Sequence, residues 1–154
     1  MTLDKPTILK ILDAGVGSLL CRILGRPGFF NTDRIPPPIE NSTVKRILVI
    51  RPGGMGDMIV LLPVLALVRK NFPQAVIDIV CENRNSAVLE LAKVDLNRII
   101  YDTNPFEVIR ALQSTHYDVA LDTEQFHNFS AVMAFFSGAQ RRIGFKVNPR
   151  RNAL

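Results

Sequence analysis

Apolar residues fall into two kinds of run along this chain. Short blocks of four to six alternate with longer stretches at helical spacing. Residues 45–50 (KRILVI), 76–81 (VIDIVC), 98–101 (RIIY), 117–121 (YDVAL) and 142–145 (RIGF) read as strands. Residues 56–71, 85–93 and 125–137 carry helical periodicity, and Asn104 followed by Pro105 opens a further helix to about residue 114. Strands that alternate with helices of this length predict an α/β fold. It is a Rossmann-like parallel sheet with helices on both faces and right-handed crossovers.

Two segments precede this pattern. Residues 1–25 form one predicted unit, an amphipathic helix with apolar positions 8, 12, 16, 19 and 23 and with Lys10, Asp13, Ser18 and Arg22 interrupting. Gly15 and Gly17 each weaken it by roughly 1 kcal/mol. It is too interrupted to span a bilayer, which needs about 20 mostly apolar residues. A membrane-interfacial helix and a helix covering its own domain both fit. Residues 26–43, with Pro36-Pro37-Pro38, read as an extended linker, and residues 44–154 as the folded domain.

Bulk composition changes this picture little. The 154 residues are 47% hydrophobic and 21% charged, the balance of an ordinary globular domain with a real core. The net charge of +5 is concentrated in residues 139–154, where Arg141, Arg142, Lys146, Arg150 and Arg151 stand without an acid. Such a tail suits an anionic partner or is a solvated terminus. It lacks the aromatic interleaving of a nucleic-acid binder. Cys21 and Cys81 lie in apolar runs, as buried thiols in a reducing compartment do. No histidine or cysteine pair stands at ligand spacing, so no metal site is expected. No secretory signal is evident, and a cytoplasmic location is expected.

The chemistry concentrates in the loops beyond the carboxyl ends of the strands, where open parallel sheets bind ligands. After the first strand comes Arg51-Pro52-Gly53-Gly54-Met55-Gly56-Asp57. It lacks the Gly-Lys-Ser/Thr ending of a P-loop and the last glycine of GxGxxG. Its glycines allow a sharp turn and a close ligand. Asp57 falls in the first helical turn, where free N–H groups favour a carboxylate. It can act there as a general base on a ligand hydroxyl, or it can simply cap its helix. The later loops add Arg84, Asp122, Glu124, His127 and Asn128 as candidate contacts. A nucleotide- or cofactor-binding module of flavodoxin type, without catalysis, has the same α/β pattern.

The stretch from Arg46 through Val80 resembles the start of the family-9 glycosyltransferases, the ADP-heptose:lipopolysaccharide heptosyltransferases and their relatives. The matching features are Gly56-Asp57, Leu62-Pro63 and Phe72-Pro73. The YDVALD stretch at 117–122 and the GAQRRIGF stretch at 138–145 follow in order. The resemblance covers residues 45–148. It implies the amino-terminal, acceptor-binding half of a GT-B fold, acting in an inverting, metal-independent transfer without cofactor. The implied donor is an ADP-heptose-like nucleotide sugar, and the implied acceptor is a lipid-linked or lipopolysaccharide-type glycan at the inner face of the inner membrane. Asp57 takes the place of the family's base. Gly53, Gly54, Gly56, Arg84, Asp122, Glu124, His127 and Asn128 then line the acceptor site. The loop departs from the family in reading Pro-Gly-Gly-Met where its best-known members have hydroxyl residues such as Thr-Ser-Ser-Leu. Glu-Gln-Phe-His-Asn replaces their Gln-Gly type of loop after the fourth strand. Family members run to about twice this length. The carboxyl-terminal donor half is therefore expected to be absent from these residues, leaving them inactive alone.

Overall fold

The computed structural model describes residues 5–24, 40–101 and 104–145. Five parallel strands make one sheet: β1 (Arg46–Ile50), β2 (Val76–Cys81), β3 (Asn97–Ile100), β4 (Val119–Asp122) and β5 (Arg141–Gly144). Their order is β3-β2-β1-β4-β5. The chain thus moves outward from β1 in one direction, returns, and continues in the other. β1 is the most buried strand, and its side chains alternate between the two faces as the strand period demands. Leu48 and Ile50 join one apolar cluster, and Ile47 and Val49 join the other.

Helices cover both faces, as expected. On one side lie α5 (Pro105–Gln113) and α6 (Asn128–Phe136), which contribute Val108, Leu112, Phe129 and Met133 to the core. On the other lies α3 (Met55–Asn71), with a short α4 (Asn83–Ser86) and a 3-10 helix over Ala87–Ala92. The helix expected over 85–93 is thus a single α turn that tightens, and Lys93 ends it in the left-handed conformation.

Two expectations need correction. A helix as apolar as α3 should be buried all round until Arg69, yet only Met58, Leu61 and Leu65 are buried. One helix meets the sheet along one face. Val60 is 75% exposed and Val64 44% exposed, because among the described residues no helix covers β4 and β5 on that side. The helix expected from 125 begins at Asn128 instead. Glu124 takes the N–H groups of Gln125 and Phe126, which holds that stretch as a loop.

The amino-terminal segment packs against the domain. α1 (Lys5–Leu12), a π turn over Asp13–Gly17 and α2 (Ser18–Leu24) run on as one helix. The wide turn sets Asp13 against the start of α6. Its carboxylate accepts from the backbone N–H of Asn128 at 3.0 Å and of Phe129 at 2.7 Å. This is an N-terminal cap supplied from 115 residues away. Gly17 faces the same joint, where a Cβ would lie 2.9 Å from that of Asn128. Cys21 and Cys81 are buried and not joined in a disulfide, and the Cys21 thiol donates to Asn128 O. Among the described residues no helix is long and apolar enough to cross a membrane. The triple-proline linker, Lys146, Arg150 and Arg151 lie outside the described residues. Arg142 lies over the Phe135 ring and donates to the Ala139 carbonyl, so it is no freely solvated tail residue.

Candidate functional site

The strand order reverses between β1 and β4, and the loops leaving those two strands part there. Arg51 N–H still donates to Val80 O on the β2 side, while Thr123 N–H donates to Ile50 O on the β4 side. The backbone thus opens a crevice at the topological switch point, where ligands bind in open α/β sheets. The first loop is strapped from the second. Asn85 is fully buried, and its amide donates to the carbonyls of Arg51 at 3.2 Å and Gly53 at 2.8 Å. A reciprocal capping box with Glu82 fixes Asn85 in turn.

Arg51 is the centre of the crevice. Its Nη2 lies 2.7 Å from Asp57 Oδ2. Its Nη1 donates to Thr123 O at 2.5 Å and lies 3.8 Å from Glu124 Oε2. The guanidinium thus joins the loop after β1, the first turn of α3 and the loop after β4. A fork of fixed donors is suited to this bridging. Gly53 lies close to the Glu124 carboxylate, and a Cβ there would crowd Oε2 at 3.3 Å. Gly54 holds the cap position of α3 and supplies no side-chain cap.

Beside this trio an open cleft of about 610 Å³ runs between α3 and the β4–β5 edge. That size suits a small ligand or part of a larger one. Val60, Val64, Leu121, Ile143, Phe126 and Phe145 supply an apolar wall. Asp57, Asp122 and Glu124 supply the acids, and Arg51 the cation. Asp57 stands at the mouth with its side chain 58% exposed, while Glu124 is buried.

The residues expected at the site divide accordingly. Asp57, Asp122 and Glu124 line the cleft; Gly53 and Gly54 form the turn that leads into α3, and Gly56 lies in the first turn of that helix. Asp122 is buried, accepting from Glu124 N–H and the Ser130 hydroxyl, so it shapes the loop after β4. Asn128 is spent on Asp13. His127 precedes α6 without capping it and is not in the cleft wall, and Arg84 pairs with Glu82 outside the cleft. Sequence reasoning missed Arg51 and Asn85. The available signal for Arg51 was a cation directly after a buried strand, facing two loops that each carry an acid.

The heptosyltransferase II of E. coli, described as an ADP-heptose lipopolysaccharide heptosyltransferase, superposes with a TM-score of 0.60 at 26% identity. The match covers 71% of this chain and 33% of that one. A second E. coli heptosyltransferase, solved with ADP, gives 0.55 at 20% identity over 70% of this chain and 37% of its own. A family-9 glycosyltransferase of Veillonella parvula gives 0.54 at 21%, over 65% and 32%. The chain therefore spans about a third of the length of these structures. No family model and no curated protein matches. The resemblance read in the sequence, to the family-9 glycosyltransferases and the heptosyltransferases among them, is the one that the fold shows.

Proposed function

We propose that these residues are the acceptor-binding half of an inverting, metal-independent glycosyltransferase, with Asp57 as the base. An acceptor hydroxyl enters the cleft between α3 and the β4–β5 edge. Its oxygen attacks the anomeric carbon of a nucleotide sugar. The bond from that carbon to the diphosphate breaks as the new one forms, and the hydroxyl proton passes to the Asp57 carboxylate. Arg51 fixes the orientation of that carboxylate, and the apolar wall packs against the C–H faces of a sugar. The donor is ADP-heptose-like, as the name of the E. coli neighbour states for that enzyme, and a second domain binds it. The acceptor is a lipid-linked or lipopolysaccharide-type glycan reached from the cytoplasmic side.

The observation that carries the reading is an exposed carboxylate, tied to an arginine, at the mouth of a cleft at the switch point of this fold. Asp57→Asn tests it in the full-length enzyme that contains this domain. Losing a general base should lower kcat/KM by roughly 10²–10⁴-fold with melting unchanged. Activity within a few-fold of wild type would remove Asp57 from the mechanism. The 154 residues alone should show no saturable ADP-sugar binding by calorimetry. Thermal stabilisation by FMN, NAD or ATP would favour a cofactor-binding module instead.

A further inference from the structure

The helix over residues 5–24 has two apolar faces, and among the described residues only one of them packs against the fold. Gly17 and Cys21 are buried against α6, with Leu12 and Leu20 packed beside them. Ile8, Ile11, Val16, Leu19 and Ile23 are between 39% and 59% exposed on the other side. A helix that needed only to cover its own domain would carry polar residues there. Lys10 and Arg22 are also exposed. Each comes one position before a stripe residue, Ile11 and Ile23, and so stands about 100° round the helix from it. Both cations thus flank the stripe with stems long enough to reach a polar layer beside it. Asp13 is the one acid among residues 5–24, and its carboxylate is turned inward onto α6. The outward surface of this helix is therefore apolar and cationic, with its acid withdrawn.

We infer that this face docks onto an anionic lipid surface, with the helix lying in the plane of the interface. The chemistry matches an interfacial helix: an exposed apolar strip, cations placed to reach headgroup level and, among residues 5–24, no acid turned outward. A second copy of the chain would bring Lys10 and Arg22 toward their own kind, which charge disfavours. Docking through a helix fixed to α6 by Asp13 orients the whole domain on the surface. The inference concerns the helix face alone, and its failure would leave the glycosyl-transfer reading untouched.

The test is flotation of the intact chain with vesicles, either phosphatidylglycerol mixed with phosphatidylcholine or phosphatidylcholine alone. The chain should float with the anionic vesicles and leave them as salt rises. Ile11→Asp with Leu19→Asp should lower partitioning at least tenfold. Lys10→Glu with Arg22→Glu should lower it about fivefold or more per site on anionic vesicles. Both pairs are exposed and should leave the melting temperature unchanged, and the charge pair serves should the apolar pair fail to fold. Flotation equal to wild type in either folded variant would overturn the inference, as would a wild type that stays at the bottom. So would a wild-type dimer, seen by light scattering, that the apolar variant makes monomeric.

Discussion

Two clusters of arginine and carboxylate sit at opposite ends of the sheet, and they are built differently. Near the amino ends of the strands, Asp78 is buried within β2. It accepts from Arg46 Nε at 3.0 Å, the Tyr117 hydroxyl at 2.9 Å and Asn97 Nδ2 at 2.7 Å. Arg46 also lies 6.0 Å from the centre of the Tyr117 ring. That cluster is closed, as a buried charge must be if it is not to destabilise the fold. Beyond the carboxyl ends, Arg51 alone bridges two carboxylates, one buried and one exposed beside a cleft. Its Nε is buried without a partner. The residue types are nearly the same at the two ends. What separates Asp78 from Asp57 is whether the acceptor sites are filled from within the fold.

Substitution should separate the two ends by readout. The largest expected effect is that of Asp57→Asn, a loss of roughly 10²–10⁴-fold in kcat/KM with little change in stability. The mirror case is Asp78→Ala. It strands the Tyr117 hydroxyl, Asn97 and Arg46 together, and should cost about 2–4 kcal/mol in denaturant unfolding. Arg46 is 39% exposed, which keeps the cost toward the lower end. Activity per folded molecule should stay unchanged. A variant of Asp78 that melted like wild type but lost activity would erase the distinction.

Arg51→Met should fall between these. Glu124 keeps the N–H groups of Gln125 and Phe126 but loses its nearby cation, at about 1–3 kcal/mol of stability. Activity should fall as well, because Asp57 loses the group that aims it. Combined with Asp57→Asn, the activity losses should be less than additive if the pair acts as a unit. Full additivity would mean that Arg51 serves the loops and not the base.

Much of the fold was legible because it depends on local pattern. The β1 and β2 runs are apolar but for Lys45 and Arg46 at the start of one and Asp78 within the other, and the structure places them within a residue of expectation. The edge on which the site lies also follows from the α/β alternation, because parallel sheets bind ligands beyond the carboxyl ends of their strands, whereas the reversal at β1 needed the fold. What escaped depends on contacts distant in sequence. Glu124 delays the start of α6 locally, but its cap comes from Asp13, which no local window around residue 128 contains. The outer face of α3 looked like core because its residues are apolar, but apolar side chains can as well wall a cleft. Asp57 and Asp78 both stand as single acids among apolar neighbours, and nothing in their spacing says that one is closed in and the other open. Arg51 was visible as the first residue of the loop, while its grip on Asp57 and Glu124 needed the fold.

The smallest effect belongs to the closed cluster and appears only in alkali. Burial, chiefly, and then the hydrogen bond to Asp78 push the Tyr117 phenol well above its ordinary value of 10. Burial likewise pushes up Tyr101, with the Asp13 and Glu82 carboxylates adding to it. Below pH about 10 both phenols are protonated in folded and unfolded chains alike, so their stabilising contribution is complete. Above that pH the unfolded chain releases these protons while the folded chain keeps them. Stability should therefore fall as pH rises, by up to about 1.4 kcal/mol per pH unit for each tyrosine. Tyr117→Phe should remove one tyrosine's share of that slope, measured as urea midpoints between pH 9 and 11 and compared with wild type. Asp57→Asn should leave the slope as it is, because its carboxylate belongs to the open end of the sheet. A slope that Tyr117→Phe left unchanged would mean that the phenol near Asp78 already ionises in the folded chain, and that this cluster is less closed than its three hydrogen bonds imply.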